Sequence, residues 1–395
     1  TLSRQVAPLY KKHCPELPDQ LLDLVGNNYE TLQPDIRKAN VQALILMQTK
    51  GLIDRLRLLP VFFQLFRCQD KALRKLLFSH IVNDIRVVNQ KHKNHKLNTA
   101  LQNFMFVMLK DENPTAAKKS LAVMIDLWRR KVWNDAKTIN AIATACFSKE
   151  SKILTAALRF FLGMDKSGDM EEDSDAEETR KANVNSQMKQ LSGIMKATKR
   201  RKKRSRELER AKAALRREET KHSSVSADFS AIHLIYDPQS FVERLFGSLK
   251  KSGESFSIRM LMMNVVSRVI GAHKLILENL YPFLQKYMQP HQRNVTHILS
   301  YLAQASHNLV PPEVLFPSVQ TLANHFVTDR SSPEVMAVGL NTIREVCARC
   351  PLAMNRVLLI DLAQYKKHKN KGVMMAARSL IALYRDVNPG LLNKK

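Results

Sequence analysis

Apolar residues recur at spacings of three and four along two long stretches of the chain, which is the period of a helix with one buried face. The stretches are residues 1–165 and 228–393, and short polar or proline-containing breaks divide each of them into consecutive segments. Two of the apolar series are Met336, Leu340, Ile343, Cys347 and Cys350, and Val373, Ala377, Leu380, Tyr384 and Val387. Each predicted helix therefore has a face that a neighbouring helix must cover.

Helix openings of one kind recur within both stretches. Aspartate, asparagine and serine cap helix N-termini, and proline suits the first turn. The openings contain Asp35, Asp70, Asn113, Ser332 and Asn370. Within the stretches their steps are 35, 43 and 38 residues, close to the roughly 40–47 residues of HEAT and armadillo repeats. The sequence therefore predicts an all-α, HEAT/armadillo-like helical-repeat solenoid.

The residues between the two stretches differ in composition. Residues 169–178 are an acidic low-complexity patch that cannot bury a core, and residues 183–221 have the composition of a lone solvated helix. We therefore predict N-terminal helical repeats (1–165), an acidic linker plus a lone basic helix (166–227), and C-terminal helical repeats (228–395).

The composition adds a strong positive charge to this picture. Glycine occurs only 11 times in 395 residues, too rarely for the many turns of a β-rich domain of this size. The 63 lysines and arginines exceed the 36 acidic residues, which gives a net charge of +27 and favours a polyanionic partner. Residues 196–222 carry +9 of this charge, so +18 is distributed over the rest of the chain.

A run of six consecutive cations, Lys199 to Arg204, is the most specific local motif. Such runs indicate nuclear import or nucleic-acid contact, and a merely solvated charge run is the alternative. The residues that follow suit an arginine-rich helix that folds against an RNA groove. The candidate RNA-binding or nuclear-localisation residues are Lys199, Arg200, Arg201, Lys202, Lys203, Arg204, Arg206, Arg210, Arg216 and Arg217.

Two shorter segments, 91–96 and 366–371, combine lysine with histidine. Lysines would repel a metal ion from His92 and His95, so a solvated loop and a phosphate contact remain as interpretations. Loops between helices are where a solenoid presents its binding residues. The predicted secondary RNA contacts are Lys91, Lys93, Lys96, Lys366, Lys367, Lys369 and Lys371.

Cysteine and tryptophan provide two further candidate sites. Cys347 and Cys350 form a C-x-x-C, but both lie in an apolar series and no second ligand pair follows, so we assign them to the core. Trp128 and Trp133 flank three basic residues and could stack bases. Because Trp128 continues the apolar series of Ala117, Leu121 and Met124, burial is the favoured interpretation. Five cysteines without a secretory signal indicate thiols in a reducing compartment.

Motifs for catalysis are missing. The sequence contains neither of the glycine-rich loops that bind nucleotide phosphates, nor the histidine pair of zinc proteases, nor the nucleophile turn of hydrolases. It also contains no apolar run near the roughly 18 residues that a membrane span requires. We therefore expect a non-enzymatic protein with no cofactor, no small-molecule substrate and no membrane segment.

Several short stretches, taken together and in order, resemble the Sda family of nucleolar proteins. They lie at 101–105, 133–138, 144–149, 231–238, 281–285, 289–293, 303–307, 310–313, 348–354 and 361–366. The likeness covers roughly residues 30–165 and 228–393. The family has more chain at both ends, and its middle region aligns poorly here. The contact role of residues 196–221 therefore depends on charge and not on the resemblance.

The resemblance implies a HEAT-like solenoid that joins precursors of the large (60S) ribosomal subunit in the nucleolus and nucleoplasm. Its implied role is to help these particles mature and become competent for nuclear export. The implied partners are precursor ribosomal RNA, ribosomal proteins and other assembly factors, near the 5S ribonucleoprotein. Two alternatives are a karyopherin-like transport adaptor, although such receptors are usually acidic, and an actin-organising protein.

Overall fold

The computed structural model describes residues 16–90, 95–164 and 230–392. Within these ranges the chain forms helices and no β-strand, which confirms the predicted all-α class. Residue contacts divide the chain into two units, Thr1–Phe229 and Ser230–Lys395, called here the N-terminal and C-terminal units. The predicted acidic patch and lone basic helix lie outside the described residues.

The described part of the N-terminal unit consists of helices joined by short loops. They are α1 (Leu17–Asn27), α2 (Pro34–Thr49), α3 (Arg55–Leu65), α4 (Lys71–Asn89), α5 (His95–Met108), α6 (Pro114–Arg129), α7 (Ala136–Ala145) and α8 (Ser151–Leu162). Consecutive helices pair as α1–α2, α3–α4, α5–α6 and α7–α8, and the second helices α4, α6 and α8 pack in succession. In the α3–α4 pair, the rings of Phe62 and His80 meet edge to face with their centroids 5.7 Å apart.

The C-terminal unit repeats this arrangement. Its helices are α9 (Ser230–His233), α10 (Pro238–Lys251), α11 (Phe256–His273), α12 (Leu280–Gln285), α13 (Val295–Ala305), α14 (Pro312–Phe326), α15 (Pro333–Arg349), α16 (Arg356–Gln364) and α17 (Lys371–Val387). The pairs are α10–α11, α12–α13, α14–α15 and α16–α17, and the second helices α11, α13, α15 and α17 pack in succession. Short 3-10 turns follow α15, α16 and α17 at Pro351–Ala353, Tyr365–Lys367 and Pro389–Leu391.

The pairing gives each unit two kinds of loop. An intra-pair loop joins the two helices of one pair, and an inter-pair loop joins one pair to the next. Because the helices of a pair are antiparallel, intra-pair loops lie at one edge of a unit and inter-pair loops lie at the opposite edge. The N-termini of all second helices therefore lie at the intra-pair edge.

The repeated openings in the sequence mark the starts of second helices α2, α4, α6, α15 and α17. The side chains of Asp70 and Asn113 accept hydrogen bonds from backbone N–H groups of the first turn, at 3.1 Å and 3.0 Å. Ser332 and Asn370 cap α15 and α17 in the same way. Helix α2 instead begins with Pro34 at its first position and has no side-chain cap.

The two apolar series are buried as predicted, with one exception. Met336, Leu340, Ile343, Cys347 and Cys350 are all in the core, as are Val373, Ala377, Leu380 and Tyr384. Val387 is 47% exposed, and its assignment to the core was wrong. It is the last residue of α17, where the chain leaves the packed helix for a 3-10 turn.

A cluster of polar side chains lies between α2, α3 and α4. Gln48 is buried, and its amide donates to Asp84 Oδ2 at 2.7 Å. The Gln48 Oε1 atom lies 2.7 Å from His80 Nε2, so the neutral imidazole donates from this nitrogen. Arg55 Nε donates to both carboxylate oxygens of Asp84, at 3.1 Å and 3.3 Å. These hydrogen bonds satisfy polar groups that would otherwise destabilise the interface between the first two pairs.

We expect His80 to make stability depend on pH. Burial lowers the pKa of His80 below its ordinary value of 6.5, and the nearby Asp84 carboxylate only partly opposes this. As the pH falls through 6.5, the unfolded chain takes up a proton that the folded chain takes up only at lower pH. The free energy of unfolding therefore decreases with acidification.

Thermal unfolding of the wild-type chain and of His80→Gln at pH 7.5 and pH 5.0 measures this effect. The glutamine amide can still donate to Gln48 but does not titrate. The wild type should lose more stability than the variant over this pH interval. Equal losses in the two proteins would show that His80 does not contribute to the pH dependence.

Candidate nucleic-acid interface

Only some of the predicted RNA-contact residues are described by the structure. The basic run Lys199–Arg204, its downstream arginines and the pair Lys91 and Lys93 lie outside the described residues. Lys96 is exposed in the first turn of α5. Lys366, Lys367, Lys369 and Lys371 are all exposed, between the end of α16 and the start of α17.

The two lysine-histidine segments occupy different kinds of loop. The segment with Lys96 joins α4 to α5 and is an inter-pair loop of the N-terminal unit. The segment 366–371 joins α16 to α17 and is an intra-pair loop of the C-terminal unit. Their similar sequences therefore do not correspond to equivalent positions in the repeat.

Hydrogen bonds fix the backbone of the 365–371 segment. The Tyr365 hydroxyl donates to the Val327 carbonyl at 3.4 Å and to Asp329 Oδ1 at 3.3 Å. Burial raises the pKa of Tyr365, and the Asp329 carboxylate adds to this rise, so the hydroxyl remains a donor at neutral pH. The N–H of Asn370 donates to His368 Nδ1 at 3.1 Å. The lysine side chains project from this anchored backbone into solvent.

The neighbouring intra-pair loops extend this positive charge along the same edge. We call the exposed lysines and arginines of this edge the basic edge, which comprises Lys250, Lys251, Lys286, Arg293, Arg330, Lys366, Lys367, Lys369 and Lys371. The carboxylates near them are Glu254, Asp329, Glu334 and Asp361, which are outnumbered. Within the described part of the chain, no ion pair involves a basic-edge residue.

Side-chain contacts connect each of these loops to the next pair. Arg259 near the start of α11 donates to the hydroxyl of Tyr287, which lies in the loop between α12 and α13. His325 Nδ1 lies 3.0 Å from the carbonyl oxygen of Met288 in that loop. The Tyr365 bond to Val327 makes the corresponding link to the last pair. The basic residues are therefore held on one continuous edge of the unit.

The corresponding edge of the N-terminal unit is close to neutral. Its loops contain Glu30, Asp111, Glu112 and Glu150 among their charged residues. Arg67 of the α3–α4 loop donates to both oxygens of Asp111 in the α5–α6 loop, at 2.9 Å and 3.1 Å. At the intra-pair edge, the excess of positive charge is thus a feature of the C-terminal unit and not a general property of the repeat.

Helix dipoles strengthen the positive potential of the basic edge. The N-termini of α11, α13, α15 and α17 all lie there, and each N-terminus has a partial positive charge. Lysine and arginine on loops above such N-termini suit the phosphate groups of a nucleic acid. The arrangement can bind a polyanion along its length.

The C-x-x-C cysteines belong to the core, as predicted. Cys347 and Cys350 are both buried and unoxidised. Burial raises the pKa of Cys347 to about 12 and also raises that of Cys350, so neither forms a thiolate at neutral pH. The Cys350 thiol donates to the carbonyl of Val310 at 3.8 Å. In the described ranges, no group of three or more histidine, cysteine or acidic side chains could hold a metal ion.

The tryptophans are also core residues, which confirms the favoured interpretation of burial for Trp128 and contradicts the base-stacking alternative. Trp128 and Trp133 are both buried. The indole nitrogen of Trp133 donates to Asn98 Oδ1 at 3.2 Å, and Asn98 pairs with Asn89 through two amide hydrogen bonds of 2.7 Å and 3.0 Å. The apolar period at Trp128 correctly predicted burial, whereas the three intervening cations did not indicate a base-stacking surface.

The helical repeats of this chain match a known protein family. The family model described as SDA1, HEAT repeat matches residues 2–369. The chain belongs to the SDA1 HEAT-repeat family. This result confirms both the predicted helical-repeat solenoid and the resemblance found in the short sequence stretches.

Relatives from distant organisms match nearly the whole chain. Protein SDA1 homolog of Nematostella vectensis is 52% identical over 392 residues, 99% of this chain and 55% of that protein. Protein SDA1 homolog of Drosophila melanogaster is 48% identical over 396 residues, covering 99% and 54%. Protein SDA1 of Chaetomium thermophilum is 41% identical over 401 residues, covering 100% and 51%. The chain therefore spans about half the length of the curated relatives it matches.

Two further observations complete the comparison. A solved C-terminal fragment of the cohesin loader SCC2 from Chaetomium thermophilum aligns with 94% of this chain and 35% of its own, at 11% identity and a TM-score of 0.27. A likeness this low has no bearing on function. Among the helices that the structure describes, none is both long enough and apolar enough to cross a membrane.

Proposed function

We propose that this SDA1-family chain is a non-catalytic assembly scaffold that binds folded ribosomal RNA in precursors of the large (60S) ribosomal subunit. The basic edge of the C-terminal unit is its RNA-contact surface. The stacked helix pairs are the rigid frame that holds this edge in shape. Its role is to support maturation of the particle and its export from the nucleus.

The observation that carries the proposal is the row of exposed cations on the basic edge. Nine such side chains lie on one edge of four successive pairs, and none is in an ion pair within the described residues. A row of like charges repels itself and gains stability only when a polyanion covers it. The phosphates of a folded RNA supply that polyanion.

The choice of a ribosomal particle as the partner depends on the family resemblance and not on charge. The resemblance implies work in the nucleolus and nucleoplasm, beside ribosomal proteins and other assembly factors and near the 5S ribonucleoprotein. The run Lys199–Arg204 suits nuclear import and a further RNA contact. We therefore propose two separable RNA contacts, the basic edge and residues 199–217.

Salt dependence tests the electrostatic part of this proposal. A labelled transcript of large-subunit ribosomal RNA would be titrated with the chain at salt concentrations from 50 to 200 mM. Each phosphate contact contributes a slope of roughly −0.7 to −0.9 to a plot of log affinity against log salt. We expect a slope of about −3 or steeper, since at least the four lysines of the 366–371 segment take part. An affinity that does not change with salt would contradict the proposal.

The same preparation distinguishes the two alternatives. A karyopherin-like adaptor would bind the GTP-loaded Ran switch, and an actin-organising protein would co-sediment with actin filaments after RNase treatment. We expect neither result. If the chain bound Ran, and if its affinity for RNA did not change with salt, a transport adaptor would be the better explanation than an assembly scaffold.

A further inference from the structure

The inter-pair edge of the C-terminal unit, opposite the basic edge, exposes one large apolar side chain in each of its loops. Tyr236, Ile276, Leu309 and Leu352 are 68%, 47%, 54% and 74% exposed. They lie in the loops that precede α10, α12, α14 and α16, which are the first helices of the four pairs. We call these four residues the apolar edge.

The loops of the apolar edge are held in place by a repeated hydrogen bond. In each case a side chain at the end of a second helix, or just after it, bonds to a backbone carbonyl of the preceding inter-pair segment. The partners are His273 with Ile232 (3.1 Å), His307 with Leu275 (2.8 Å), Cys350 with Val310 (3.8 Å) and Tyr384 with Pro351 (2.9 Å). Three of these carbonyls belong to residues adjacent to Ile276, Leu309 and Leu352. The exposed side chains are therefore presented from a fixed backbone.

This regularity distinguishes the apolar edge from ordinary surface residues. Single apolar side chains are common on protein surfaces and need no explanation. Here an exposed apolar side chain recurs in the loop before every pair of the unit, and hydrogen bonds hold the loops of Ile276, Leu309 and Leu352 in place. A surface that is apolar, aligned and preorganised has the properties of a binding site for another polypeptide.

Charges along the apolar edge indicate the character of that polypeptide. Exposed carboxylates accompany the first three apolar side chains, namely Asp237, Glu278 and Glu313. Lys274 lies among them, and Arg349 and Arg356 flank Leu352 at the far end. Each apolar side chain from Tyr236 to Leu309 thus has a carboxylate near it, and the cations beside these three are Lys274 and Arg349, whose guanidinium donates to the Gln304 carbonyl at 3.4 Å. A carboxylate beside each apolar side chain suits the lysines or arginines of a protein segment better than the phosphates of RNA.

Repeat geometry sets the spacing of the partner's side chains. Packed helices lie roughly 8–10 Å apart, so successive loops along the stack are separated by about that distance. An extended chain in the polyproline II conformation has three residues per turn and advances about 3.1 Å per residue, so every third side chain faces the same way and would meet the next loop.

We propose that the apolar edge binds an extended, basic segment of a protein partner that places an apolar side chain at every third position. Lysine or arginine between these positions pairs with Glu278, Glu313 and Asp237. This contact is independent of RNA binding at the opposite edge. A C-terminal unit with both contacts would join RNA to a protein of the same particle.

Synthetic peptides test the proposal with the full chain. The probes are a fluorescent peptide of four Leu-Lys-Ser repeats and its counterpart of four Leu-Glu-Ser repeats, and binding is followed by anisotropy. We expect the lysine peptide to bind more tightly. Replacing Ile276, Leu309 and Leu352 together with serine should weaken its binding about tenfold or more. Met375→Ser, a control at a 53% exposed apolar residue on α17 of the same unit, should change it less than about twofold.

A charge swap separates the electrostatic part of the contact. The variant Glu278→Lys, Glu313→Lys should bind the lysine peptide less tightly than the wild type does, and the glutamate peptide more tightly. Asp237 is left unchanged because its carboxylate caps α10 through the N–H of Ser240. The triple serine variant should keep its affinity for ribosomal RNA, which separates a failure here from a failure of the proposed RNA contact.

Three results would overturn the proposal. The first is that neither peptide binds, or that both bind equally. The second is that the triple serine variant binds the lysine peptide as the wild type does. The third is a concentration-dependent dimer in sedimentation velocity that the triple variant abolishes, because a second copy of the chain would then cover the apolar edge.

Discussion

Gly271→Ala should destabilise the C-terminal unit by about 2 to 3 kcal/mol, although alanine favours helices more than glycine does. Gly271 lies in α11 where it crosses α13, and a Cβ atom there would lie 2.3 Å from the carbonyl oxygen of Gln304 and 3.4 Å from its carbonyl carbon. The obstructing atoms are backbone, so no side-chain rotation can relieve the contact. One of the two helices must shift, which disrupts the packing of second helices on which the solenoid depends.

Thermal unfolding by circular dichroism and hydrogen exchange of α11 and α13 measure this effect. The melting temperature should fall by roughly 5–10 °C, with faster exchange in these two helices. Gly247→Ala is the matched control, because a Cβ there meets nothing within 4 Å. That change should stabilise the chain by about 0.5–1 kcal/mol. Equal effects from the two substitutions would show that α11 and α13 do not approach as closely as described.

Reversing the charge of Lys366, Lys367, Lys369 and Lys371 to glutamate should weaken binding to large-subunit ribosomal RNA by roughly 30-fold or more near 100 mM salt. All four side chains are exposed, so the variant should fold normally. Glutamate in the first turn of α17 is even favoured by the helix dipole. The slope of log affinity against log salt should also become shallower, by about 3 for four lost phosphate contacts.

The matched control reverses four exposed lysines on the corresponding edge of the N-terminal unit. These are Lys38, Lys110, Lys149 and Lys152. The change in net charge is identical in the two variants. Any difference between their RNA affinities therefore depends on where the reversed lysines lie and not on the overall charge. We expect the control to weaken binding by less than about fivefold through the general field alone. Equal losses in both variants would mean that RNA binding depends on net charge and not on the basic edge.

Much of the fold could be predicted from local pattern. The apolar period of Met336 to Cys350 identified a buried helix face, and Asp70, Asn113, Ser332 and Asn370 identified helix starts because a cap acts within one turn. Every one of these openings begins a second helix, so the repeat was visible in the sequence. The other second helices, α8, α11 and α13, have no side-chain cap, and the corresponding repeats could not be found from this signal.

The candidate site was predictable only in part. The segment 366–371 is recognisable because four lysines lie within six residues, whereas Lys286, Arg293 and Arg330 are isolated in sequence and share one edge only through the stacking of pairs. Their common feature is position within the repeat, since each lies at or beside an intra-pair loop. The same holds for the apolar edge, whose residues are about 33 to 43 positions apart. A repeat alignment of loop positions is the signal that would have found both edges.

Helix period predicts burial better than local composition does. Arg129, Arg130 and Lys131 beside two tryptophans offered base stacking as an alternative, but both indoles are buried, as the apolar period at Trp128 indicated. Composition also could not tell that segments 91–96 and 366–371 differ in their place in the repeat, because one joins two pairs and the other joins the helices of one pair. Residues 199–217 lie outside the described ranges, and their proposed contact stays a prediction from charge.

Crosslinking inside native precursor particles is the most direct test of whether the basic edge contacts ribosomal RNA. Particles carrying the tagged chain would be purified, irradiated with ultraviolet light and digested, and the crosslinked peptides and RNA positions would be identified by mass spectrometry and sequencing. We expect crosslinks from large-subunit ribosomal RNA to peptides of the basic edge, above all the segment 366–371, and their loss in the variant with Lys366, Lys367, Lys369 and Lys371 reversed to glutamate. Recovery of the chain in these particles without any crosslink to ribosomal RNA would contradict this expectation, and would leave a scaffold that contacts proteins alone.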